Sequence, residues 1–189
     1  VRSAHVAVVL PQQANPFVEA LTAEFARLGS DTATVTLVRS SSFRAPDVLA
    51  AISVVPSSVS AVILIAPDVP AVHEALRRFR QNQIPIIALA SPLSSSDAYV
   101  GTNNWISGRI AAQIVSRFVC RASGTVAVIK SNLSYRGTDE REMGFRAVLA
   151  QDAPHLRVVA VEGGSSDAPQ GEIAAADLLR AHADLSAIY

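Results

Sequence analysis

The sequence is poor in nearly every residue type that announces chemistry. Its 189 residues include one cysteine, one methionine and one tryptophan, and a single lysine, Lys130, stands beside fifteen arginines. Cys120 alone excludes an intrachain disulfide framework and a cysteine-rich zinc site. Charged residues make up 17% and balance at 16 Lys+Arg against 16 Asp+Glu, which excludes a disordered charged tail and a surface that holds nucleic acid by charge alone. No run approaches the ~18 consecutive apolar residues of a membrane-crossing helix, so no membrane partner is expected.

Signatures of catalysis are equally scarce. His5, His73, His155 and His182 stand in no metal-ligand spacing, and no serine occupies a G-x-S-x-G elbow. The loop Pro11-Gln12-Gln13-Ala14-Asn15-Pro16-Phe17 has no glycine, so it is neither a dinucleotide fingerprint nor a phosphate loop. Catalytic residues, metal ligands and cofactors are therefore not expected, and the chain does not read as an enzyme. Asp68 is the one acid that follows a strand at a carboxyl edge, but Pro67-Asp68-Val69-Pro70 also reads as a helix-starting turn with Asp68 as its cap.

What is present is an alternation of short β-branched runs and longer stretches with helical spacing. Strands are predicted at His5 to Leu10, Thr34 to Val38, Ser60 to Ala66 and Pro85 to Leu89, with a short extended segment at Ala98 to Gly101. Helices are predicted from Pro16 to about Leu28, Ala45 to Val54, Val69 to Asn82 and Trp105 to Val119. The unit then repeats as strand 125–129, helix 138–151, strand 157–161, helix 170–181 and a final strand 185–189. Runs such as Val62-Ile63-Leu64-Ile65 are apolar on both faces, as in a parallel sheet covered on both sides. The fold class is α/β, with two doubly wound parallel-sheet lobes. Residues 1–101 form the N-terminal lobe and 102–189 an incomplete C-terminal lobe, because the chain stops inside a strand pattern. In open sheets of this kind ligands bind beyond the carboxyl ends of the strands.

Five pieces in order carry a resemblance: Val6-Ala7-Val8-Val9-Leu10-Pro11 with Asn15-Pro16-Phe17; Val62 to Pro67; Ile84-Pro85-Ile86-Ile87; Val100-Gly101-Thr102-Asn103-Asn104 with Gly108-Arg109; and Arg141-Glu142-Met143-Gly144-Phe145. Together they resemble the effector-binding domain of lactose-repressor-family transcription regulators and the related periplasmic sugar-binding proteins, the periplasmic-binding-protein-like type I superfamily. The resemblance spans essentially the whole chain. It implies two βαβ lobes with a small polar effector, a sugar or related metabolite, in the cleft between them.

Matched residue by residue, the resemblance places Asn15 and Phe17 at first-loop ligand contacts. It places Arg141, three residues before Gly144, at an arginine that holds ligand hydroxyls or carboxylates. A guanidinium suits that task as a fixed fork of donors, and the alternative for Arg141 is a salt bridge with Asp139 or Glu140. Asn15 also reads as a helix cap. Three departures stand out: Val18, Ala66 and Ala90 occupy positions where many sugar binders have an aromatic, an asparagine and an aspartate. A buried ligand hydroxyl left without a partner costs about 1 to 3 kcal/mol, so a ribose-like mode is disfavoured, and Gln12, Gln13, Ser91 and Asn103 become alternative holders. Trp105, Asn132 and Tyr135 complete the candidate ligand residues, with interlobe packing the competing reading for Trp105 and an exposed loop for the other two.

The function expected first is the sensor domain of a cytoplasmic transcription regulator, which reaches operator DNA only through a helix-turn-helix head absent from this chain. The alternative is a periplasmic solute-binding protein serving a sugar transporter. A homodimer is expected, with Val72, Leu76 and Phe79 as apolar positions of a first-lobe helix; those same residues also read as facing the sheet.

Overall fold

A computed structural model describes residues 4–12, 16–28, 33–119, 123–130, 135–162 and 168–189. Strand β1 (Ala4–Pro11) leads to helix α1 (Pro16–Leu28), β2 (Ala33–Ser40), α2 (Ala45–Ser53), β3 (Ala61–Leu64), α3 (Pro70–Gln81), β4 (Ile86–Leu89) and β5 (Ala98–Val100). These form a five-stranded parallel sheet in the order β2-β1-β3-β4-β5. Then follow α4 (Asn104–Phe118), β6 (Gly124–Lys130), α5 (Arg136–Asp152), β7 (Leu156–Glu162), α6 (Ala168–Ala181) and β8 (Leu185–Ile188). Here the sheet is three-stranded and parallel, β7-β6-β8. The chain divides into two compact units, the second beginning at Thr102, with Tyr135 and Arg136 grouped with the first.

In the first unit β1 shows why the strands are apolar throughout. Ala7 and Val9 point into a cluster with Val48 and Ile52 of α2 and Val72, Leu76 and Phe79 of α3, whereas Val8 and Leu10 point into the opposite cluster with Val18 of α1. The sheet is thus covered on both faces, the doubly wound arrangement, and neither set of side chains can be polar. Val72, Leu76 and Phe79 are all 0% exposed. This corrects the expectation that they form a subunit contact: the i, i+4, i+7 stripe of α3 is spent on its own sheet.

Helix termini follow local chemistry. Pro46 and Pro70 occupy first-turn positions, where the missing N–H costs no hydrogen bond. At its other end α2 exposes carbonyls, and the Arg78 guanidinium of α3 donates to Ile52 O at 2.6 Å and Val55 O at 2.8 Å. The cap of α3 is Val69, with no side-chain hydrogen bond. Asp68 is therefore not the helix cap. Its carboxylate accepts from the Ser94 amide at 2.9 Å and the Ser94 hydroxyl at 2.7 Å, and it lies 3.2 Å from His73 Nε2. That ties the segment between β4 and β5 to the end of β3.

In the second unit α4 and α5 cross with their backbones almost touching. A Cβ on Gly108 would overlap the Arg141 carbonyl oxygen, and one on Gly144 would overlap the Trp105 carbonyl oxygen. Each glycine is the notch for the other helix. Phe145, Val148 and Leu149 of α5 then bury against Ala112 and Val126, and the Phe145 ring stacks on Tyr189 at 4.8 Å. Among the described residues no helix is long and apolar enough to cross a membrane.

Candidate functional site

The carboxyl edges of the two sheets are where ligand chemistry is expected, and they differ in character. In the first unit the edge is tightly self-bonded. The Gln12 amide donates to Ser40 O at 2.6 Å, and the buried Ser40 hydroxyl donates to Ser42 O at 2.8 Å. Ser41 and Ser42 both donate to the Asp47 carboxylate, and these hydrogen bonds hold its carboxyl below the usual range. Ala66 is buried. Ala90 has φ of 63°, a left-handed conformation that a side chain disfavours, and its carbonyl accepts from Tyr99 Oη at 3.2 Å. Strained non-glycine backbone of this kind gathers at functional edges. The next residue, Ser91, is only 5% exposed.

Two other first-unit candidates have opposite settings. Phe17 in the first turn of α1 is 54% exposed. Tyr135 is buried among Val8, Leu10 and Val18, stands edge-on to Phe43 and donates to Phe43 O at 3.0 Å. Burial raises its phenol far above the ordinary value, so it remains a donor throughout the accessible pH range. A wide depression of about 610 Å³ runs beside α1, lined by Pro11, Gln12, Val18, Thr22 and Arg39, with Arg39 donating to Thr22 Oγ1 at 2.7 Å. Gln13 and Asn15 lie outside the described residues, as does Asn132.

The second unit offers a recess of about 160 Å³ at the end of β6, lined by the apolar Val128 and Ile129 as well as by Lys130, Arg141, Glu142 and Tyr189. Two cations here are treated differently. Lys130 lies 3.0 Å from Glu142, and Glu142 also accepts from Arg146 at 2.8 Å. Burial alone would raise the Glu142 carboxyl, but the hydrogen bonds and charges of Arg146 and Lys130 outweigh it and hold the carboxyl below its usual value. Arg141 instead donates from Nε to Asn104 Oδ1 at 2.7 Å, and its Nη2 lies 3.4 Å from Thr102 Oγ1. Its described partners are neutral. The salt bridge to Asp139 or Glu140 left open by the sequence is not among its described contacts, and Asp139 lies 3.8 Å from Lys130.

The structure therefore brings Arg141 together with Asn104, Thr102, Lys130 and Glu142, of which the sequence reading counted only Arg141 as a ligand residue. It places Asn103 at the cap of α4, where Oδ1 accepts from the Ile106 amide at 3.0 Å. Trp105 is half-buried one residue inside that helix. Asn104, Gly108 and Ala112 are the buried positions of α4. That four-residue spacing was the sequence signal for Asn104, since it shares a face with the glycine at the helix crossing.

Comparison with known proteins adds to this geometry. Among curated proteins none matches the chain in sequence. In fold it is similar to a glucose-galactose binding protein from Geobacillus stearothermophilus, with a TM-score of 0.85 at 19% identity, covering 100% of this chain and 68% of the other. It is similar to an ABC transporter solute binding protein from Mycobacterium smegmatis with bound glycerol, at 0.85 and 19%, covering 99% and 65%. A third likeness is a carbohydrate transporter solute binding protein from Agrobacterium radiobacter in complex with D-arabinose, at 0.78 and 18%, covering 100% and 66%. The chain thus spans about two thirds of the length of these structures. The family model described as a periplasmic binding protein domain matches residues 6–189. With that match running through both units, the chain belongs to the periplasmic binding protein domain family.

Proposed function

We propose that this chain is the ligand-binding part of a solute receptor that takes up a sugar or closely related polyol on behalf of a membrane transporter. The observation that carries the reading is Arg141. It is a guanidinium lining a small recess, and its described hydrogen-bond partners are neutral, so none of them offsets its charge toward a ligand oxygen. The recess is small for a complete ligand site, which suits one share of a monosaccharide's contacts. Phe17 and Ser91 are proposed first-unit contributors, joined by Gln13, Asn15 and Asn132 from the segments outside the described residues. Two of the fold-level relatives are named as transporter solute binding proteins and the third as a glucose-galactose binding protein, which favours the receptor over the regulator that the sequence put first.

The test is a thermal-shift screen of the full-length protein with D-glucose, D-galactose, D-arabinose, D-fructose and glycerol, followed by calorimetry. A sugar should bind, and Arg141→Ala should weaken it by about 1.5 to 3 kcal/mol, roughly ten- to a hundredfold. Cell fractionation separates the two readings: the receptor belongs outside the cytoplasmic membrane, the regulator inside. Specific binding of the full-length protein to operator-like DNA, with cytoplasmic location, would overturn the receptor reading.

A further inference from the structure

The Arg141 fork is aimed by a residue on another helix. We propose that Asn104 is a positioning residue for ligand recognition: it fixes the plane of the Arg141 guanidinium and does so without cancelling its charge. The inference rests on the reading that Arg141 touches the ligand.

The argument begins with where Asn104 lies. It is 2% exposed, in the first turn of α4, and its backbone is pinned from both sides. The Asn103 cap fixes the start of the helix, and the reciprocal fit of Gly108 against the Arg141 carbonyl and Gly144 against the Trp105 carbonyl fixes α4 against α5. A donor and acceptor on two helices locked at backbone contact have little freedom to drift. The 2.7 Å bond from Arg141 Nε to Asn104 Oδ1 sets one edge of the guanidinium, and Thr102 Oγ1, 3.4 Å from Nη2, lies beside the same edge. A planar group held along one edge has its orientation set. Among the described residues Nη1 makes no hydrogen bond and Arg141 is exposed, which leaves the opposite edge of the fork for a ligand.

The neutral amide is the second half of the argument. An aspartate at this position would hold Arg141 equally well and neutralise it. The neighbouring cation shows that alternative, because Lys130 is bonded to the Glu142 carboxylate. Asn104 gives the fork geometry and leaves the charge for the ligand.

The experiment uses the full-length protein and whichever of D-glucose, D-galactose, D-arabinose and D-fructose binds most tightly, with Arg141→Ala, Asn104→Ala, Asn104→Asp and the double variant Asn104→Ala/Arg141→Ala. Asn104→Ala should weaken binding about tenfold. In the Arg141→Ala background the same substitution should change affinity by less than about twofold, because there is no fork left to aim. Asn104→Asp, which keeps the acceptor and the volume, guards against a folding defect: the Arg141 Nε–H should stay protected from solvent exchange by NMR while sugar affinity falls. Full additivity of Asn104→Ala in the double variant, or Asn104→Asp binding as tightly as the parent, overturns the proposal. If Arg141→Ala itself leaves affinity unchanged, or none of the four sugars binds, the underlying ligand reading fails instead.

Discussion

Gly108 and Arg141 are joined by the absence of a side chain: the Arg141 carbonyl oxygen occupies the space where a Cβ of residue 108 would be. The packing of α4 on α5, and with it the address of the candidate ligand arginine, depends on this notch. Gly108→Ala must push the helices apart, and the backbone atoms it meets cannot swing away. We expect a loss of about 1 to 3 kcal/mol in stability, larger than the gain an alanine normally brings to a helix interior, and Gly144→Ala should behave alike. Denaturant unfolding of the two variants checks this; an unchanged or raised midpoint for both would contradict the close crossing.

Asp68 gives a second test, on the first unit. Asp68→Ala removes both hydrogen bonds from Ser94 and the contact with His73. Partial exposure reduces the value of charged hydrogen bonds, so about 1 to 2 kcal/mol is expected. Hydrogen exchange at the Ser94 amide should accelerate locally. If exchange there is the same as in the parent, the staple is not what orders this segment.

The Glu142 carboxyl carries a pH dependence of definite sign. Its pKa in the folded state lies below the ordinary value, so its stabilising contribution is complete above that ordinary value and is lost as pH falls through the lower folded value. Glu142→Gln should lower the melting temperature at neutral pH. The gap between the parent and Glu142→Gln should then close as pH falls below about 4. A gap that is constant with pH would show that the ion pairs with Lys130 and Arg146 contribute nothing net.

Two phenylalanines at opposite extremes of burial separate core from surface. Phe79 is 0% exposed and Phe118 is 80% exposed. Phe79→Ala should cost about 3 to 5 kcal/mol, whereas Phe118→Ala should fall within about 0.5 kcal/mol of the parent. Phe118 ends a row of exposed apolar residues on α4, Ile106, Ile110 and Ile114 being the others. A large loss from Phe118→Ala would mean that this row is covered in the full-length protein.

The helix and strand pattern was legible because each element satisfies its local rule without help. The apolar runs of β1, β3 and β4, the proline at the start of α1 and the i, i+4, i+7 spacing of Val72, Leu76 and Phe79 in α3 all point to the elements observed, within a residue or two of their ends. The doubly wound class followed from strands apolar on both faces. Local rules do not reveal which partner a side chain meets. Asp68 reads as a cap because acids before a proline-started helix commonly are caps, yet Ser94, 26 residues away, offered it two donors.

The adjacent asparagines draw the line most sharply. The sequence put a helix start at Trp105, just after Asn103-Asn104, and Arg141 three residues before a glycine on a later helix. It could not say which asparagine would serve which purpose, since neighbours on a helix point about 100° apart and only the packed partner decides which direction is inward. The tertiary structure made that choice. With α5 seated in the Gly108 notch, Asn103 is left outside to cap α4, and Asn104 is turned inward to receive Arg141 Nε, because a buried amide must find a partner and a guanidinium 2.7 Å away supplies it.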